Sequence, residues 1–146
     1  MKLRLIEPRD LPAIFDVRAS TRENAFSREA LRDLGITEES TAELLRTTHR
    51  GWLCEDDGKI TGFTIGDGKT GEIWVIAVLP EYEGRGIGSQ LLRLVEDWLW
   101  SLGWAKLWLW TSSDEKKRAF SFYAKHGWKV SKVDGDILYM AKERPR

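Results

Sequence analysis

The spacing of apolar residues divides the chain into alternating and helical stretches. Leu3–Glu7 alternates briefly and predicts a first strand. Pro8-Arg9-Asp10 turns the chain, with Asp10 the N-cap of a helix carrying Ala13, Ile14 and Val17 on one face. The polar segment Ala19–Asn24 breaks that pattern. Ser27 caps a second helix, Arg28–Leu34, which Gly35 closes, and Thr37 opens a third through Arg46.

The period then shortens to two. Gly51–Glu55 and Ile60–Ile65 read as strands joined by Asp56-Asp57-Gly58-Lys59, a hairpin signal. After a turn over Gly66–Gly71, the run Glu72–Leu79 is apolar on both faces and predicts a central strand covered from both sides; Pro80 stops it. Ile87, Leu91, Leu94, Val95, Trp98 and Leu102 then recur at helical spacing, with Arg93, Glu96 and Asp97 elsewhere around the wheel, and Gly103 ends the helix. Lys106–Thr111 is a strand. Ser112-Ser113-Asp114-Glu115 is a capping box opening a helix to Lys125, and Trp128–Val133 with Ile137–Ala141 closes the chain as a hairpin. The expected fold is one α/β domain over residues 1–146: a mixed, mostly antiparallel central sheet flanked by helices, in the order β-α-α-β-β-β-α-β-α-β-β.

Composition narrows the functions open to such a domain. Basic and acidic residues balance at 23 each, so no global field favours nucleic acid or an anionic membrane surface. No apolar run approaches the ~20 residues of a membrane span and the N-terminus lacks an apolar signal region, so the expectation is a soluble, cytoplasmic protein. The single cysteine, Cys54, excludes an internal disulfide and reads as a small apolar filler on a strand. No His, Asp and Glu cluster has metal spacing, and His49 and His126 fall at helix ends and read as surface residues. Of eight tryptophans, six lie between Trp98 and Trp128. Most are expected in the core or on a sheet face, with a few lining a pocket or a dimer seam.

Candidate chemistry lies between the buried strand and the helix that follows it. Glycines at 84, 86 and 88 let a ligand approach the main chain, and their amides lead into a helix N-terminus, where unpaired N–H groups and the helix dipole favour a diphosphate. The spacing by itself fits a tight structural turn equally well. A dinucleotide fingerprint would need glycine at Ser89, and Gly68-Lys69-Thr70 is no Walker loop because Phe63 stands at its first glycine position.

The segment Val78-Leu79-Pro80-Glu81-Tyr82-Glu83-Gly84-Arg85-Gly86-Ile87-Gly88-Ser89 closely resembles the Q/R-x-x-G-x-G/A signature of the GCN5-related N-acetyltransferases, the GNAT family. Ala119-Phe120-Ser121-Phe122-Tyr123-Ala124-Lys125-His126-Gly127-Trp128 is similar to the family's A-x-x-F/L-Y-x-x-x-G-F element. The resemblance implies acetyl-CoA as co-substrate. It implies that the backbone of Ile76, Ala77 and Val78 pairs with the pantetheine arm, and that amides from Gly84, Arg85, Gly86, Ile87, Gly88 and Ser89 hold the pyrophosphate. It also implies that the strands containing Trp74 and Trp108 part at one end to admit the thioester. Two positions depart from the pattern: Glu83 replaces Gln or Arg, its side chain expected to point away, and Lys116 replaces a common Asn.

The implied reaction is direct acetyl transfer to a primary amine, of a small molecule, amino acid or peptide, in a ternary complex. An amine with a pKa near about 10.4 is almost wholly protonated at neutral pH, so a proton acceptor helps. Glu72, six residues before Val78, stands where the histone-modifying branch resembling this pattern carries its glutamate base; a solvated strand-end glutamate is the plain alternative. Tyr123 fits a general acid for the leaving thiolate by motif position, against a packing role beside Phe120 and Trp128. The resemblance implies an acceptor pocket built largely by the segment between the first strand and the first hairpin, which includes Arg18, Arg22, Glu23, Asn24 and Phe26; Arg22, Asn24 and Phe26 are candidate contacts, and an exposed loop is the plain alternative. A homodimer is a family-level expectation. Two other readings remain: a catalytically silent coenzyme A-binding regulatory module, and an interaction domain using exposed tryptophans.

Overall fold

The computed structural model describes residues 1–21, 27–113 and 118–146. Among these lie seven strands: β1 (Lys2–Leu5), β2 (His49–Asp56), β3 (Lys59–Asp67), β4 (Glu72–Val78), β5 (Lys106–Ser112), β6 (Lys129–Asp134) and β7 (Ile137–Glu143). The helices are α1 (Leu11–Ala19), α2 (Arg28–Asp33), α3 (Glu38–Thr47), α4 (Ile87–Ser101) and α5 (Arg118–Lys125). None of these helices is long and apolar enough to cross a membrane.

The strands form one sheet in the order β1-β2-β3-β4-β5-β7-β6, antiparallel throughout except between β4 and β5. Strand alternation gives the sheet two faces. On one, α1 covers Leu53, Phe63, Ile65 and Ala77. On the other, α4 and α5 cover Ile73, Leu107, Leu109, Leu138 and Met140. Cys54 is buried against Ile87 and Leu91 as an apolar filler.

Local capping explains why the segment between β1 and β2 breaks into three helices. Ser27 Oγ accepts from the Ala30 N–H at 3.0 Å, and Thr37 and Ser40 exchange side-chain-to-backbone bonds as a capping box. The full order is therefore β-α-α-α-β-β-β-α-β-α-β-β. Asp10 stands at the N-cap position of α1 but makes no side-chain capping bond there. It ends a 3-10 turn, where its carboxylate accepts from the Glu7 N–H at 2.7 Å and from both Arg4 Nη atoms at 2.8 and 2.9 Å. The Ser112–Glu115 capping box extends beyond the described residues.

Two burial expectations change. Glu96 is not on the solvent face of α4 but buried under the sheet, accepting from Trp128 Nε1 at 2.9 Å and Lys142 Nζ at 2.8 Å. An indole needs an acceptor when buried, and a buried carboxylate needs a cation, so each satisfies the others. Strand β4 is covered on both faces, Ala77 under α1 and Ile73 under α4, yet its other residues are only half-buried. The reason is that β5 does not follow it.

Candidate active site

Strands β4 and β5 share a single bridge, Glu72 opposite Trp108, and part beyond it. Each is held by its other neighbour. Along its whole length β5 is in register with β7, while β4 stays paired with β3. The β3–β4 ladder slips at one point: Ile65 faces Val75 and Gly66 faces Ile73, leaving Trp74 unpaired as a bulge. Trp74 and Val75 consequently both lean toward the α1 face. The parted strands leave a cleft of about 610 Å3, bordered by β4, the start of α4, the end of β5 and one side of α5. That volume suits a small-molecule site.

The cleft wall carries backbone groups. The Leu79 N–H donates to Thr61 O on β3 at 2.8 Å. Because polar groups alternate sides along a strand, the N–H and C=O of Val78 and Ile76 face away from β3, into the opening. Those of Ala77 face β3.

At the cleft's other end the glycine segment forms a cradle. Gly84 and Gly86 hold φ of 77° and 81°, in the left-handed region that glycine enters without steric cost. Gly86 is the N-cap of α4, whose ladder begins with the Gln90 N–H on Gly86 O at 3.1 Å, so the amides of Ile87, Gly88 and Ser89 lie ahead of the first rung. Ser89 Oγ lies 3.0 Å from His126 Nε2, tying the end of α5 to the start of α4. His126 is thus a half-buried strut between helices rather than a surface residue. Ile87 anchors the helix start in the core. The Arg85 side chain lies outside the cleft, over the Tyr82 ring at 4.8 Å. Glu83 behaves opposite to expectation: it turns inward, lines the cleft and accepts from Arg118 Nη1 at 2.7 Å. The guanidinium across the cleft mouth offers the carboxylate an ion pair that an outward rotamer would forgo.

Three titratable groups stand along the rest of the site. Tyr123 lines the cleft from α5, edge-on to Phe122 and Trp128, and burial pushes its phenol well above its ordinary value, with Glu96 adding and Arg18 opposing. It is protonated at neutral pH. Burial pulls the Arg18 guanidinium down to about 10, which leaves it charged there. Glu72 is pushed up to about 7, first by burial and second by the Asp67 charge. It sits at the closed end, in register with Asp67 and Trp108, and does not itself border the cleft. His49 completes this row on β2, in register with Asp67. Its Nδ1 lies 2.6 Å from Thr48 Oγ1 and its ring stands edge-on to Trp74, so it too is part of the interior and not a surface residue.

A family model described as "Acetyltransferase (GNAT) family" matches residues 11–128, which include β4, the cradle and α5. This chain belongs to that family. Over 104 residues, 68% of the chain, it is 31% identical to uncharacterized N-acetyltransferases of Mycobacterium bovis and Mycobacterium tuberculosis, and the aligned part spans 65% of those proteins' length. Among solved structures it is similar to the PaiA N-acetyltransferase of Thermoplasma acidophilum in complex with coenzyme A (TM-score 0.82, 21% identity, covering 99% of this chain and 100% of that one). It is also similar to the ribosomal-protein-S18-alanine N-acetyltransferase of Escherichia coli (TM-score 0.75, 23% identity, covering 97% and 92%). At these identities the structures speak for the GNAT fold.

In this GNAT chain the candidate acceptor residues Arg22, Asn24 and Phe26 lie outside the described residues, as does Lys116. The described part of the cleft also contains tryptophans that sequence reading did not assign to a pocket. Trp74 and Trp110 border the cleft beside Arg18 and Thr21, with Asp136 at its rim. Alternation along β5, with Leu107 and Leu109 in the core, was the signal that turns Trp108 and Trp110 to the other face. Nothing local announced Asp67 or His49, because their proximity to Glu72 comes from register across three strands.

Proposed function

We propose that this protein is an acetyl-CoA-dependent N-acetyltransferase acting on a primary amine. The observation that carries the reading is the opening between β4 and β5, with outward-facing strand groups at one end and a glycine-shaped helix N-terminus at the other. These residues fit coenzyme A. Amides of the cradle from Gly84 to Ser89 are donors for its pyrophosphate. Ile76 and Val78 offer an extended arm the N–H and C=O groups of an unpaired strand edge. The co-substrate supplies an acetyl group activated as a thioester.

The chain's own residues account for the proton movements. Glu72 accepts the proton that an ammonium must lose, acting through water because it lies behind the cleft wall; a carboxylate titrating near neutrality is matched to that task. The Val78 N–H is a fixed donor for negative charge developing in the cleft. Tyr123, protonated and bordering the cleft, donates to the departing thiolate. Arg118, held by Glu83, adds positive charge at the cradle mouth and offsets the carboxylate beside the phosphate site.

The test is thiol release from acetyl-CoA with a panel of amines, run beside acetyl-CoA binding. Amine-dependent release supports transfer. Binding without release by any amine would indicate a coenzyme A-binding regulatory module, and neither would leave only an interaction domain.

A further inference from the structure

Next to the cleft lies a second recess of about 80 Å3, on the α1 face of the sheet. Ile14 and Phe15 from α1, Leu31 from α2, Thr41 from α3 and Phe63 and Ile65 from β3 form its walls. Arg18, Trp74, Val75 and Trp110 border both spaces, so the recess abuts the acceptor side of the cleft. Trp110, 48% exposed, does not seal it from solvent.

Its lining is hydrocarbon apart from the Arg18 head and one hydroxyl. Thr41 is buried at 2% exposure, and among the described residues its Oγ1 has no hydrogen-bond partner. A threonine within a helix commonly satisfies itself on the preceding turn, as Thr47 does by donating to Glu43 O at 3.0 Å. Thr41 does not. Valine has the same outline and would fill the wall with no unmet bond, so an unpaired, covered hydroxyl on a residue of the recess wall points to a partner from outside the chain.

We propose that this recess receives a side arm of the acceptor amine: a compact, mainly hydrocarbon branch that brings one hydrogen-bonding atom to Thr41. Scaled from a 150 Å3 apolar cavity that holds benzene, the space takes about three or four heavy atoms. The arm belongs to the acceptor and not to the carrier because the recess adjoins Trp74 and Trp110, whereas the cradle lies at the other end of the cleft. Bulky aromatic arms are excluded by size, and an amine with no branch leaves the recess unused. The inference rests on the acetyltransferase reading above and names the substrate class for that site.

Four amides test it: glycinamide without an arm, valinamide and threoninamide with arms of one shape, and tryptophanamide with an arm too large. Turnover with acetyl-CoA is measured for each. So is calorimetric binding in the presence of coenzyme A, which reports on the recess whether or not transfer occurs. Valinamide and threoninamide are expected to exceed glycinamide and tryptophanamide by about tenfold or more, in kcat/KM and in affinity. Thr41→Val is expected to lower the threoninamide-to-valinamide ratio by about tenfold. Equal constants for glycinamide and valinamide, no binding by any amide, or a Thr41→Val effect that scales all four alike would each overturn the proposal. If coenzyme A binds and no amide is acetylated, the transferase reading fails while the binding ratios still decide the recess.

Discussion

The two ends of the cleft are built from different materials. At the cradle end the candidate recognition groups are main-chain amides, fixed by glycine dihedrals and by the start of α4, and the one basic side chain in the segment, Arg85, leans outward on Tyr82. At the other end the groups are side chains: Glu72, Tyr123, Arg18, Trp74 and Trp110, brought together from β4, α5, α1 and β5. A site made of backbone tolerates side-chain change and fails when the backbone is altered. A site made of side chains does the reverse, and mutation can separate the two.

The largest expected effects are therefore side-chain removals at the end that holds Glu72 and Tyr123. Glu72→Gln should lower kcat by roughly 10²- to 10⁴-fold and abolish the rise in rate as pH climbs through about 7. Rate profiles between acid and alkaline pH check this; an unchanged profile removes Glu72 from the reaction. The same substitution has a signature in stability. Glu72 titrates near 4.5 in the unfolded chain and near 7 when folded, so ionisation costs the native state more. Native stability from this group consequently falls as pH rises between those values, and Glu72→Gln should remove that slope in denaturant titrations.

Next is Glu96, which underlies Tyr123 without touching substrate. Removing it leaves Lys142 and the Trp128 indole without their acceptor, so Glu96→Ala should cost about 3–5 kcal/mol of folding free energy, read from the urea midpoint. The cradle should respond only to its backbone. Gly86→Ala forces a side chain to a φ of 81°, a strain of about 1–2 kcal/mol, and should weaken acetyl-CoA binding about tenfold; Arg85→Ala should change it by less than about twofold. A large loss with Arg85→Ala would reverse the contrast between the two ends. The smallest effect is a gain: Thr41→Val removes a buried hydroxyl with no described partner and should raise stability by about 1 kcal/mol.

The same contrast decides what could be read from the chain. The cradle was legible because strand, glycines and helix are contiguous in sequence, and the Tyr123 element because its spacing is helical. Residues whose role depends on register were not. Glu96 sits at a wheel position that looks polar, and only the packing of β7 and of the turn after α5 against α4 supplies Lys142 and Trp128. Glu83 looked like an outward-facing intruder until Arg118, thirty-five positions away, was placed opposite it. His49 seemed a helix-end residue because the start of β2 carries no periodic signal, yet strand pairing sets it beside Asp67.

Titration of the protein with acetyl-CoA in a calorimeter tests the account most directly, because every expectation about activity presupposes that the opening between β4 and β5 admits this molecule. The prediction is saturable micromolar binding, displaced by coenzyme A and accompanied by a higher Tm. No heat, no displacement and no shift at millimolar acetyl-CoA would contradict it.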